Sequence, residues 1–296
     1  MTVIPYSIEL DTVTAHIHTH PVLRFSSRIA VLFLLHGHPS SARHMKPIVN
    51  GIFDLMTKKA EITGAGSRPN LAIVTLELET GSGGAKGELE SERLYRQQES
   101  MAENVSALID RLPSILSPNY DKSVDTWMVA GVSLGAHAAW MAMDRGLGRR
   151  FTTVGLYTRN RSALTPYVAR LNSLESLKGS PDFLDIATYR SNAAPVVPLV
   201  SSLISSSTRN HIIRHDPVSR RRTPSQEILF TNKHVLALAG AQDGIVSLLA
   251  TRTFLDRIDV GPDGTKRLVI QQGVGHQCTR EMIKEMADLV WKVALT

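Results

Sequence analysis

The sequence predicts a mostly parallel, doubly wound α/β sheet with helices on both faces and an inserted segment in its second half. Three observations carry this expectation. Short continuous apolar runs, such as Ile29 to Leu35, alternate with amphipathic helical patterns, as strands covered on both faces do. One such run ends in Gly131-Val132-Ser133-Leu134-Gly135 and passes at once into an Ala-rich helical pattern, so a serine occupies a strand-to-helix turn. Two later runs end in loops carrying Asp243 and His276.

Element by element, residues 3–10 and 12–19 alternate loosely with period two and predict an opening hairpin at a sheet edge. Ile29 to Leu35 is the first buried strand, and Ser40-Ser41 introduce a helix reaching about Lys58. Leu71 to Leu78 is the next buried strand, followed by the glycine-rich stretch Gly81 to Gly87 and a long amphipathic helix from roughly Glu92 to Leu112. The run Trp127 to Ala130 leads into the serine turn, Ala136 to Met143 forms the helix after it, and Thr152 to Thr158 the next strand. From Arg159 to Lys233 the alternation lapses into Ser- and Pro-rich sequence with short helical patterns such as Ser201 to Ser207. It resumes with strand His234 to Ala239, a helix near Ile245 to Ile258, strand Arg267 to Gln272 and a closing helix from Thr279 to Val293. Strands alternating with helices imply a parallel sheet whose ligands bind beyond the strands' carboxyl ends. The expected organisation is a core of residues 1–158 and 234–296 with residues 159–233 inserted as a cap over that edge.

Bulk properties narrow the class. A chain of 296 residues with 43% hydrophobic and 20% charged residues can bury a large core. The net charge of +6 and pI near 9.5 raise nucleic-acid binding. However, the basic residues are scattered apart from Arg220-Arg221-Arg222, and no recognised nucleic-acid motif accompanies them. No nucleic-acid partner is expected. The lone Cys278 precludes an internal disulfide. The N-terminus lacks the pattern of a secretory signal, and no apolar run is long enough to span a bilayer. A cytoplasmic protein is the expectation, and the oligomeric state is not legible.

The chemistry centres on three residues. A serine hydroxyl is a poor nucleophile at neutral pH and needs an adjacent base, which in turn needs an acid to orient it. Ser133 is the candidate nucleophile, His276 the base and Asp243 the orienting acid. Each falls just past a strand's carboxyl end, and glycines at 273 and 275 let the last loop bring His276 over the sheet. In Leu34-Leu35-His36-Gly37-His38-Pro39, Gly37 permits a tight turn that aims the His38 backbone N–H at a developing oxyanion. The N–H of Leu134, after the nucleophile, is the second candidate donor. His36 and His38 are read as backbone geometry rather than as metal ligands.

Other features carry less. Thr14 to His20 places three histidines on one strand face. A zinc site there lacks a carboxylate or cysteine partner at a recognisable spacing, so a solvated face is expected. The Gly81 to Gly87 stretch lacks the ending of a phosphate-binding P-loop and reads as a loop beside the pocket. Cys278 reads as a small packed residue at the start of the last helix.

These residues resemble those of α/β-hydrolase-fold serine hydrolases, and in particular the chain is similar to fungal proteins known only as α/β hydrolases. The carrying segments are GVSLGAHAAWMAM around Ser133, LALAGAQDGIV around Asp243, GVGHQCTREMIKEM around His276 and HGHPSS from His36. The resemblance runs from about residue 29 to the C-terminus and is weakest over 159–233. It implies an eight-stranded sheet, a catalytic triad of Ser133, Asp243 and His276, and oxyanion donors at His38 and Leu134. Two departures are Ala136, where many relatives have a further glycine, and Glu79-Thr80-Gly81, where relatives often carry a charged turn. A serine nucleophile argues against dehalogenase or epoxide hydrolase chemistry, which uses a carboxylate. The expectation is therefore a serine hydrolase needing neither cofactor nor metal and acting on a small-molecule ester. The mixed polarity of Leu164, Tyr167, Leu171 and Phe183 among many serines and arginines suggests a mid-sized, partly apolar substrate. Acyl transfer, C–C cleavage or cyclisation with the same residues is the rival within enzymes, and a non-catalytic binding protein the rival outside them.

Overall fold

The computed structural model describes residues 6–10, 13–20, 27–64, 68–78, 90–118, 123–145, 151–157, 205–215, 230–243 and 248–295. In chain order the strands are β1 (Tyr6–Leu10), β2 (Val13–Thr19), β3 (Arg28–Leu35), β4 (Asn70–Leu78), β5 (Ser123–Gly131), β6 (Phe151–Tyr157), β7 (His234–Gly240) and β8 (Thr265–Gln271). The helices are α1 (Lys46–Thr63), α2 (Glu90–Leu116), α3 (Leu134–Arg145), α4 (Ser206–His215), α5 (Leu248–Arg257) and α6 (Arg280–Ala294). The strands form one mixed sheet in the order β1-β2-β4-β3-β5-β6-β7-β8. β2 runs antiparallel to both β1 and β4, and every other pair is parallel.

β3 shows why its sequence is a continuous apolar run. Side chains alternate across a strand. Ile29, Val31, Phe33 and Leu35 enter the core beneath α2, α3 and α5, while Ala30, Leu32 and Leu34 enter the core beneath α1 and α6. With helices on both sides, neither parity can be polar. Each fully buried Leu, Ile or Phe contributes about 1.5–3 kcal/mol relative to exposure. Phe33 also stacks on Trp127 of β5, with ring centroids 6.1 Å apart.

Several expected boundaries shift for identifiable reasons. β5 begins at Ser123, earlier than its apolar run, because its first four residues alternate between exposed and half-buried while the last five are buried. α2 continues past Pro113 to Leu116. A proline in the last turn forfeits only one backbone hydrogen bond, and Ser117 N–H still donates to the Pro113 carbonyl at 3.0 Å. α6 starts one residue after the expected position because Thr279 is its N-cap, accepting from Met282 N–H at 3.2 Å.

Of the segment 159–233, the structure describes 205–215 and 230–233. Among the described residues of this segment the helix is Ser206–His215; positions 201–204 of the expected Ser201 to Ser207 lie outside the described residues. Ser205 Oγ accepts from Thr208 N–H at 3.2 Å at the helix start, and Ile212 is its buried apolar residue. α4 docks on α2: Ser205 N–H donates to Glu92 at 2.7 Å, and His211 Nε2 pairs with Glu99 at 2.9 Å. Among the described residues no helix is long and apolar enough to cross a membrane.

Candidate active site

Four loops meet at the carboxyl edge of the parallel strands. Ser133 lies two residues past the end of β5, Asp243 three past β7, and His276 five past β8. His38 lies three residues past the end of β3.

The turn carrying Ser133 is tight and strained. Ser133 has φ +54°, in the left-handed region that costs an L-residue about 1–2 kcal/mol. Its flanking glycines are required by space. A Cβ at Gly131 would lie 2.6 Å from the Ala136 nitrogen, and one at Gly135 would lie 2.6 Å from the His36 carbonyl oxygen. Strand β3 and helix α3 therefore touch backbone to backbone. Val132 N–H donates to the Leu35 carbonyl at 3.0 Å, and Ala136 N–H to the Ser133 carbonyl at 3.0 Å. The serine is only 8% exposed.

The other two residues are brought in by a second close approach. A Cβ at Gly240 would lie 2.8 Å from the carbonyl carbon of Val274, so β7's end is pressed against the loop that precedes His276. Backbone bonds zip the two together: Ala241 N–H to Gln271 at 2.8 Å and Gln242 N–H to Val274 at 2.9 Å. Gly273, with φ +72°, turns the chain after β8.

The result is a continuous relay. His276 Nδ1 lies 2.8 Å from Asp243 Oδ2, and His276 Nε2 lies 3.1 Å from Ser133 Oγ. A carboxylate only accepts, so Nδ1 carries the proton and Nε2 presents its lone pair to the serine hydroxyl. The Asp243 side chain is nearly buried, while the His276 ring stays partly open to solvent.

On the opposite side of the serine runs the loop after β3. A Cβ at Gly37 would lie 3.0 Å from Ser133 Cβ and 3.7 Å from its Oγ. His36 Nδ1–H donates to the Gly37 carbonyl at 2.8 Å, and the His38–Pro39 peptide is cis. Leu134 begins α3, where first-turn N–H groups lack intrahelical acceptors. The far end of the loop is tied by Glu77, whose Oε2 accepts from Ala42 N–H at 2.7 Å. Glu77 escaped the sequence reading, although it breaks the apolar run of β4 one residue before its end.

The histidines at 16, 18 and 20 correct an expectation in part. His16 is half-buried and bonds the exposed Ser7 Oγ of β1 at 2.7 Å, whereas His18 is 6% and His20 1% exposed, the His20 ring packing edge-on against Phe53 of α1. His18 Nε2 bonds Thr75 Oγ1 at 3.2 Å, and His20 Nε2 donates to the Phe53 carbonyl at 3.2 Å. Burial holds both imidazoles neutral, pushing the pKa of His18 down to about 4 with help from His16 and Lys46. Among the described residues no group of three or more His, Cys, Asp or Glu is arranged to hold a metal. Burial also pushes the Cys278 thiol up to about 11, which disfavours the reactive thiolate. The Gly81 to Gly87 stretch, Glu79-Thr80-Gly81 and Arg220-Arg221-Arg222 lie outside the described residues.

No protein-family model matches the sequence, and no curated protein does. Solved structures do. TT1662 from Thermus thermophilus superposes with a TM-score of 0.61 at 14% identity, over 99% of both chains. The Pyrococcus furiosus esterase Pf2001 gives 0.54 at 12% identity, over 99% of this chain and 94% of its own. An S-formylglutathione hydrolase from Agrobacterium tumefaciens gives 0.52 at 13%, over 97% and 92%. At such identities the likeness speaks for architecture alone: the chain has the α/β-hydrolase type of fold.

Proposed function

We propose that the protein is a serine hydrolase, using neither cofactor nor metal, that cleaves carboxylic esters through an acyl-enzyme. Ser133 Oγ attacks the ester carbonyl while His276 Nε2 takes its proton. The same proton then passes to the departing alkoxide, leaving the acyl group on the serine. Water attacks the acyl-enzyme, again giving its proton to His276, and the carboxylic acid leaves as Ser133 recovers its hydrogen. Asp243 holds the imidazole in the required tautomer and stabilises the imidazolium. The N–H groups of His38 and Leu134 receive the oxyanion, aided by the positive end of α3.

The observation that carries this reading is the unbroken Ser133–His276–Asp243 relay, with the serine held at φ +54° on its turn. The names of the similar structures, an esterase and a hydrolase among them, point the same way. Residues 159–233 are assigned as a cap over a core of 1–158 and 234–296. The docking of α4 on the first ten residues of α2, which the chain enters from the carboxyl end of β4, supports that assignment. A mid-sized, partly apolar ester, free in the cytoplasm, is the proposed substrate.

Replacing Ser133 with alanine removes the nucleophile and relieves no packing. Turnover of short p-nitrophenyl esters should vanish while circular dichroism and the thermal transition stay those of the parent. Undiminished turnover in a folded Ser133→Ala protein would overturn the assignment.

A further inference from the structure

We propose that His36 is a positioning residue for this chemistry. By holding the Gly37 carbonyl it sets the direction in which the His38 N–H faces the oxyanion. The inference rests on the serine hydrolase reading above and assigns a role to a side chain that reading leaves unused.

A carbonyl only accepts, so His36 Nδ1 donates its proton to Gly37 O across 2.8 Å. The Gly37 carbonyl and the His38 N–H belong to one planar peptide unit. That unit is trans, since the cis bond of this loop is the following one, His38–Pro39. In a trans unit C=O and N–H point in opposite directions. Pinning the first therefore aims the second. The peptide is also where such aim matters: a Cβ on Gly37 would lie 3.0 Å from both Ser133 Cβ and the Val132 carbonyl oxygen. A rotation of this unit is felt directly at the serine.

The other ring nitrogen strengthens the case. His36 is 8% exposed, and among the described residues its buried Nε2 has no hydrogen-bond partner. A buried, unpaired polar atom costs stability, which an apolar side chain of similar size would avoid. Among the described residues the hydrogen bond that the ring makes is the one from Nδ1 to Gly37 O. Glu77 secures the other end of the loop at Ala42, so the two ties act on different peptides.

Three variants separate aim from bulk. In His36→Asn the amide nitrogen sits as many bonds from the backbone as Nδ1 and can reach Gly37 O. In His36→Gln it sits one methylene farther away, and His36→Leu has no donor. We expect kcat of the Asn variant on a p-nitrophenyl ester to stay within about threefold of the parent. The Gln and Leu variants should lose about 10- to 100-fold in kcat with KM within about twofold, short of the loss of a whole oxyanion donor. Affinity for a trifluoromethyl ketone, whose serine adduct carries the oxyanion, should fall by the same factor in those two. A merely structural role would instead move stability and leave the kcat of the folded fraction alone. The inference is overturned if the folded Leu variant keeps kcat within about threefold of the parent, or if Asn loses as much as Gln. Should the Leu variant fail to fold, the Asn–Gln comparison decides, since the two differ by one methylene. A flat His36 series beside an inactive Ser133→Ala protein would refute only this inference. Activity in Ser133→Ala would refute the underlying reading as well.

Discussion

Alanine at Gly135 adds one methyl group at one of the tightest contacts in the site. Helix propensity alone favours the change, by about 1 kcal/mol in a helix interior. The geometry opposes it: the new Cβ would lie 2.6 Å from the His36 carbonyl oxygen and closer still to that of Leu35. Carbon and oxygen rest at about 3.3 Å or more, so α3 and the end of β3 must part by roughly 0.7–1 Å. Neither side yields cheaply, because both oxygens are backbone and Leu35 already accepts from Val132 N–H. Overpacking of this kind costs about 1–3 kcal/mol. A displacement on the order of 1 Å between reacting groups costs about 100-fold in rate. The steric effect therefore outweighs propensity. Equilibrium urea unfolding should show Gly135→Ala destabilised by about 2 kcal/mol, with kcat on a p-nitrophenyl ester lowered by about 100-fold. A variant as stable as the parent with full kcat would refute the close approach of β3 and α3 on which the serine's placement depends.

Two further predictions concern stability. His18 has a folded pKa of about 4 against an ordinary 6.5, so the folded state binds fewer protons than the unfolded one between those values. Stability is thus full above about pH 6.5 and is lost as pH falls toward 4, by about 3 kcal/mol for this group alone. Chemical denaturation of the parent and of His18→Gln at about pH 7.5 and 4.5 should show a smaller acid loss in the variant; equal losses would remove His18 as the cause. Thr279 caps α6 through Met282 N–H. Thr279→Ala should lower stability by about 1 kcal/mol without changing KM, and an unchanged urea midpoint would contradict the cap.

Much of this architecture was legible because parallel strands covered on both faces leave no room for polar residues. β3, β4 and β7 announce themselves as apolar runs, and each site residue follows the end of such a run. The first half of β5 was not legible, since alternation there reflects partial exposure rather than burial. His18 and His20 were misread for a related reason. His16, His18 and His20 share one face in any case, and no local pattern tells that α1 covers it at His20 with Phe53 and Thr57. Glu77 was missed because a single carboxylate in an apolar run looks like a strand end, whereas it reaches across to bind Ala42 N–H. Residue types and their order suggested Ser133, Asp243 and His276; their distances depend on Gly240 pressing against Val274, a contact between segments 34 residues apart that no local pattern encodes.

The most direct test of the account is the site of covalent labelling by a fluorophosphonate, read by peptide mass mapping of the intact protein. The account predicts one adduct, on the peptide containing Ser133, with labelling lost in Ser133→Ala and strongly slowed in His276→Ala. An adduct on another residue, or labelling undiminished in Ser133→Ala, would contradict it.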